Sequence, residues 1–214
     1  MYDYIEAGEA PVKLEEGVYL ERLRFGSDIP FSDSEEIAGI FGDPEKDVLV
    51  WEKGSSQLSD SIMCEKYITE VLTANDSTEE AIMERLEKHG SFDRTFGCVQ
   101  SDVGRYAESL GLHVSLESDL TMKDICEALD NNEKIICAVS SITMSYPEIS
   151  DMPGLHGDSY MEIIGVDETV SGKKNVIVND PNASCGGIPY DMETFLSAWG
   201  KSGRFAVIIN KVGE

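Results

Sequence analysis

The chain reads as an α+β protein on three observations. Helical periodicity dominates its first half, two adjoining β-type runs form a hairpin near residue 170, and one late helix and strand close it. Helices followed by a mostly antiparallel sheet separate this class from a doubly wound α/β fold.

Taken in order, residues 1–50 read as an N-terminal extension packing on a main domain of residues 51–214. Val18-Tyr19-Leu20 alternates weakly with charge, and the stretch from Gly26 to Asp47 is acidic, turn-rich and interrupted by prolines, with a short helix predicted at Ser34 to Phe41. Trp51 opens the main domain. From Asp60 the pattern turns helical, with Ile62, Met63, Tyr67, Val71 and Leu72 at helix spacing until Asn75-Asp76-Ser77 breaks the run. Ser77 followed by Glu80 forms a capping box for a second helix that Gly90 ends. A third helix is predicted from Gln100 to Leu110, with Val103, Tyr106, Ala107 and Leu110 on one face.

His113 to Leu116 reads as a short strand. Thr121 to Asp130 is a fourth helix with Ile125, Ala128 and Leu129 inward, and Ile135 to Val139 is a buried strand. Ser140 to Asp158, which holds Pro147 and Pro153, is a long loop leading to the hairpin. The hairpin strands are Tyr160 to Val166 and Asn175 to Val178, joined by a turn at Gly172. Met161 to Val166 is apolar apart from Glu162 and Val176 to Val178 is continuously apolar, as expected of strands covered on both faces. Asn179-Asp180-Pro181 then sets a carboxylate at a strand exit, where a fixed backbone can hold a polar group toward solvent.

At 214 residues, with 41% hydrophobic and 27% charged residues, the chain can bury a sizeable core. Its net charge of −24 repels nucleic acid and anionic lipid and attracts basic peptides. No run of about 18 apolar residues is present for a membrane span, and the first residues lack the basic and apolar regions of a signal peptide, so a cytoplasmic location is expected. The five cysteines form no CxxC pair and read as reduced thiols. No HxxxH or DxDxDG spacing and no phosphate-binding loop occurs, so neither a metal nor a cofactor is expected.

A strand ending in Gly165-Val166-Asp167, a turn, and a strand closing in Asn179-Asp180-Pro181 resemble the core of papain-like cysteine peptidases of the bacteriocin-processing type. The tail from Pro189 to Trp199 and from Ser202 to Ile208 is similar to that family's closing helix and strand. The resemblance spans Trp51 to Lys211 and implies a papain-like fold, with N-terminal helices packed on an antiparallel sheet. It also implies a thiol at a helix N-terminus, a histidine base, a polar group orienting the imidazole, and an oxyanion donor.

Laid on that core, the histidine's slot falls on Ser159, and serine has no pKa near neutrality with which to act as a base. Gln57 stands where the family places its oxyanion glutamine. Counting about six residues onward reaches Met63 rather than Cys64, and one helical residue turns a side chain by about 100°. Cys64 therefore reads either as the nucleophile or as a buried structural cysteine. His156, between Gly154 and Gly157, is a substitute base if its loop folds back; His89 and His113 read as structural. Asp180 fits the orienting position, and Cys98 reads as packing a turn.

Three functions stay open. One is a papain-like homologue that has lost peptidase activity and binds a peptide or protein in the former cleft. Another is an atypical cysteine hydrolase using Cys64, His156 and Asp180, with Gln57 as oxyanion donor. The third is an unrelated α+β domain.

Overall fold

Alternation along residues 134–140 sets the layering of the molecule. Ile135, Cys137 and Val139 belong to one apolar cluster and Ile136 and Ala138 to another, because successive strand residues point to opposite faces. A sheet that is apolar on both faces needs a helical layer on each side.

The structure, a computed structural model, describes residues 40–146, 158–168 and 174–213. Its elements are β1 (Phe41–Gly42), α1 (Pro44–Asp47), α2 (Asp60–Thr73), α3 (Glu79–His89), α4 (Arg105–Ser109), β2 (His113–Glu117), α5 (Met122–Asp130) and β3 (Lys134–Ser140). There follow α6 (Ser141–Ser145), β4 (Asp158–Glu168), β5 (Lys174–Asn179), β6 (Ile188–Asp191), α7 (Met192–Lys201) and β7 (Ala206–Asn210). The fold is α+β. Strands run β2-β7-β3-β4-β5-β6 across the sheet, each neighbouring pair antiparallel.

One face carries α5 and α7, through Met122, Ile125, Leu129, Phe195 and Trp199. On the other lies α2, through Cys64, Ile68 and Leu72. A further cluster joins α2 and α3 through Ile62, Ile82, Met83 and Leu86. Helix α2 thus sits between the sheet and α3, and its residues 60–69 are all buried. Burial on every side explains why its apolar pattern is broader than one stripe.

Several local expectations shift. Helix α3 is capped by Thr78, whose hydroxyl accepts the Ala81 N–H at 3.3 Å, while the Ser77 hydroxyl donates to Asn75 instead. Gly90 ends α3 with φ +76°. The third helix is split: a 3-10 turn at Gln100–Asp102 gives way to α4 at Gly104, where φ is +98° and a Cβ would lie 2.5 Å from Val114 Cγ1. The stretch after Ser140 begins with a helix, because the Ser140 hydroxyl caps it by accepting the Thr143 N–H at 3.3 Å. Strand β6 was not expected.

The two strands expected of the hairpin pair as β4 and β5, with Ile163 opposite Val178 and Glu162 opposite Asn179. Its turn at Gly172 lies outside the described residues, as do residues 34–39 of the short helix predicted near residue 37; Phe41 is in β1. Phe41 and Gly42 pair with Val166 and Gly165 of β4, beyond the point where β3 stops pairing. The chain then lays α1 against the same region, and Asp47 meets Lys134 Nζ at 2.6 Å with both side chains buried. No helix among the described residues is long and apolar enough to cross a membrane.

Candidate functional site

The first residue of α2 is an aspartate. Before it, Gln57–Ser59 makes a 3-10 turn in which the Ser56 hydroxyl accepts the Leu58 N–H at 3.1 Å and the Ser59 hydroxyl donates to the Ser56 carbonyl at 2.7 Å. That turn delivers Asp60 to the start of the helix, where unpaired N–H groups favour negative charge.

Two neutral donors converge on the Asp60 carboxylate. The Ser159 hydroxyl, near the start of β4, reaches Oδ2 at 2.6 Å, and the Asn182 amide reaches the same oxygen at 2.8 Å. Asn182 Nδ2 also lies 3.3 Å from Ser159 Oγ, so three side chains from three elements form one knot. Asp180 completes the cluster from the exit of β5. Its carboxylate accepts the Asn182 N–H at 2.8 Å and the Tyr190 hydroxyl at 3.4 Å, while its carbonyl accepts Trp51 Nε1 at 2.9 Å.

Asp60 is only 2% exposed. Burial pushes its carboxyl up to about 6, against the hydrogen bonds of Ser159, Asn182 and the Tyr160 backbone, with the Asp180 charge adding to the rise. Burial also raises Asp180. Ser61 and Tyr160, the chain neighbours of Asp60 and Ser159, line a cleft of about 440 Å³ whose wall includes Gln57, Leu58, Phe96 and Cys98.

Of the residues singled out in the sequence, Ser159 and Asp180 come together here. Gln57 is exposed on the cleft wall, three residues before Asp60. Cys64 lies one turn into α2, fully buried among Ile68, Leu72, Ile136 and Ala138, and burial raises its thiol well above the ordinary range. Cys98 lines the cleft, but burial pushes its thiol up to about 12. His156 lies outside the described residues, while His89 ends α3 and His113 opens β2. Asp60 and Asn182 were not anticipated. The signal available for Asp60 was its place at the helical onset.

Among the described residues no three histidine, cysteine, aspartate or glutamate side chains converge as metal ligands. The cluster can hold a hydrogen-bond knot and carry negative charge.

No protein-family model matches the sequence, and no curated protein matches it. Similarity to solved structures is more telling. The peptidase domain of Streptococcus ComA, a bifunctional ABC transporter involved in quorum sensing, aligns at 15% identity and TM-score 0.50 over 75% of this chain and 97% of that one. Digestive procathepsin L 3 of Tenebrio molitor larval midgut aligns at 12% identity and TM-score 0.55, over 90% of this chain and 78% of that one. A C39-like peptidase from Bacillus anthracis aligns at 13% identity and TM-score 0.43, with 62% of that chain covered. At these identities the likeness is one of architecture: the chain has the papain-like cysteine peptidase fold, the fold shared by peptidase domains of the bacteriocin-processing type.

Proposed function

We propose that this protein is a papain-fold homologue without peptidase activity that holds a peptide or protein segment in the cleft beside α2. One observation carries the reading: the start of α2 and the facing strand position bear Asp60 and Ser159, joined at 2.6 Å, where thiol chemistry needs a cysteine and an imidazole. The burial of Cys64 and the raised Cys98 thiol support it, since neither sulfur is disposed to ionise near neutrality. The cleft remains open although its chemistry is gone. Partial exposure of Tyr160 and of Leu58, at 41%, gives an extended chain apolar surface to cover.

Incubation of the full chain with a quenched peptide library, followed by selection from a displayed random-peptide library, tests both halves of the proposal. Enrichment without cleavage, lost when Gln57→Trp on the exposed cleft wall fills the cleft, is the expected result. Cleavage that a thiol alkylator abolishes overturns it.

A further inference from the structure

Helix α4 opens without a capping side chain of its own. Its N-cap is Gly104, which has no side chain to accept a hydrogen bond, and the acceptor comes instead from Glu65, 42 residues before Ala107 and on α2. Glu65 Oε2 accepts the Ala107 N–H at 3.0 Å, and the Gly104 and Tyr106 backbones add to the hold. The carboxyl is fully buried, and its Oε1 has no hydrogen-bond partner. Ser61, one turn before Glu65 on α2, lines the cleft, and so do Phe96, Gly97, Cys98 and Gln100 of the segment that runs into α4. The Ser61 hydroxyl bonds the Cys98 thiol, which burial and then the Glu65 charge push upward. Glu65 therefore stands directly behind the cleft wall, at the point where that wall is anchored to α2.

We propose that Glu65 is a proton-operated latch on the cleft wall: the protonated carboxyl keeps α4 and the segment from Phe96 to Gly104 docked on α2, and its ionisation loosens that segment. The consequence for binding rests on the reading of the cleft as a peptide site. The groups around Glu65 work against its charge. Glu108 on α4 repels it, and Arg105 beside it is engaged by Glu108 at 2.7 Å and Asp102 at 3.7 Å. Arg85 of α3 lies over the Tyr106 ring and donates to the Ser109 carbonyl at 3.2 Å, while from the sheet Val114 and Val207 close over Gly104. Burial outweighs the backbone bonds and lifts the carboxyl from 4.5 to about 7. A docked wall thus holds the proton more tightly than an opened one, so opening is suppressed at low pH and grows as pH rises through about 7.

Amide hydrogen exchange of the full chain between pH 5.5 and pH 8, corrected for the intrinsic rate, tests the latch at Gly97, Asp102 and Val103, whose N–H groups bond within the wall, and at Ala107. These amides are expected to exchange faster than those of β3, which mark global unfolding, and to lose protection by about tenfold or more across the interval. In Glu65→Gln the protection should stay level. The midpoint should match the titration of the Glu65 carboxyl followed by its carbon resonance, a comparison that holds even if the variant does not fold. Wall amides no faster than those of β3, protection independent of pH, a decline retained in Glu65→Gln, or a midpoint apart from the Glu65 titration overturns the proposal. Displayed peptides separate it from the broader reading. Binders are expected to hold less tightly at pH 8 than at pH 5.5, with the difference gone in Glu65→Gln. Equal affinity at both pH values sinks the latch while peptide binding stands; a wall transition with no peptide enriched sinks the peptide reading alone.

Discussion

Ser159 Oγ donates a 2.6 Å hydrogen bond to Asp60 Oδ2, joining two residues 99 positions apart in the chain. The bond fastens the first residue of α2 to the beginning of β4, and both side chains are buried. Its loss leaves a buried carboxylate with the Asn182 side-chain amide and the Tyr160 backbone as its remaining donors. Ser159→Ala is therefore expected to destabilise the fold by about 1–3 kcal/mol, the usual penalty for stranding a buried polar partner. Urea denaturation monitored by circular dichroism measures it. A midpoint unchanged from the parent protein would show that the bond contributes nothing net.

If the fold still holds the peptidase framework, its chemistry should be recoverable at two positions. Asp60→Cys combined with Ser159→His places a thiol at the start of a 14-residue helix and an imidazole across from it, with Asp180 at the exit of the adjoining strand. Helix N–H groups and a nearby imidazolium both favour the thiolate. Iodoacetamide labelling of the double variant should reach half its maximal rate below about pH 7, compared with about 8.5 for an unperturbed thiol. An ordinary profile would mean that the two positions are not aligned as in the peptidases.

The native thiols should behave in the opposite way. Cys64 and Cys137 are fully buried, and burial raises both thiols. Cys185, half-buried on the loop after β5, is raised as well but lies nearer solvent. Alkylation at pH 7.5 followed by peptide mass mapping is expected to modify Cys185 first and to leave Cys64 untouched until denaturant is added. Early labelling of Cys64 would return the atypical hydrolase to consideration.

These contrasts trace what sequence could and could not reveal. The β4–β5 hairpin was legible because its strands are apolar on both faces and closed by Asn-Asp-Pro, all local features. Laid on the resembling family, the same register put the histidine's slot at Ser159. Asp60 escaped because counting from Gln57 put the thiol's slot at Met63, beside Cys64, whereas the pairing that defines the site spans 99 residues and leaves no periodic trace. Glu162, an acidic interruption in an apolar strand, was visible, but its remedy was not. The Asn179 amide donates to it at 2.8 Å and also bonds the Asp47 carbonyl at 2.9 Å, and Asp47 arrives from a segment read as lying before the domain.

That buried network yields its own expectation. Lys134 Nζ and Asp47 Oδ2 meet at 2.6 Å with the side chains 3% and 1% exposed, next to a Glu162 carboxyl that burial and the Asp47 charge push well upward. Lys134→Met removes the positive partner and leaves Asp47 uncompensated, which should cost about 3–5 kcal/mol. Pairing it with Asp47→Leu should recover much of the loss, since replacing both partners of a buried pair is far milder than breaking it. Thermal unfolding of the single and double variants gives the comparison. A single variant as stable as the parent would remove the ion pair from the list of stabilising contacts.

Acid should stabilise this protein. Glu65 is fully buried in α2, where it accepts the Ala107 N–H at 3.0 Å, yet burial outweighs that bond and raises its carboxyl from 4.5 to about 7. Asp60 rises from 3.8 to about 6 for the same leading cause. In both cases the folded state holds its proton more tightly than the unfolded chain does. The stabilisation from protonation is fully present below the unfolded values and disappears as pH rises through about 6 and about 7. For Glu65 alone this swing is on the order of 3 kcal/mol. The melting temperature is therefore expected to fall steadily from pH 5 to pH 7.5. Glu65→Gln, which keeps an acceptor for Ala107 but carries no charge, should flatten the decline and melt higher than the parent at pH 7.5. A parent protein that gains stability over that interval would mean that Glu65 and Asp60 are stabilised as carboxylates in the fold.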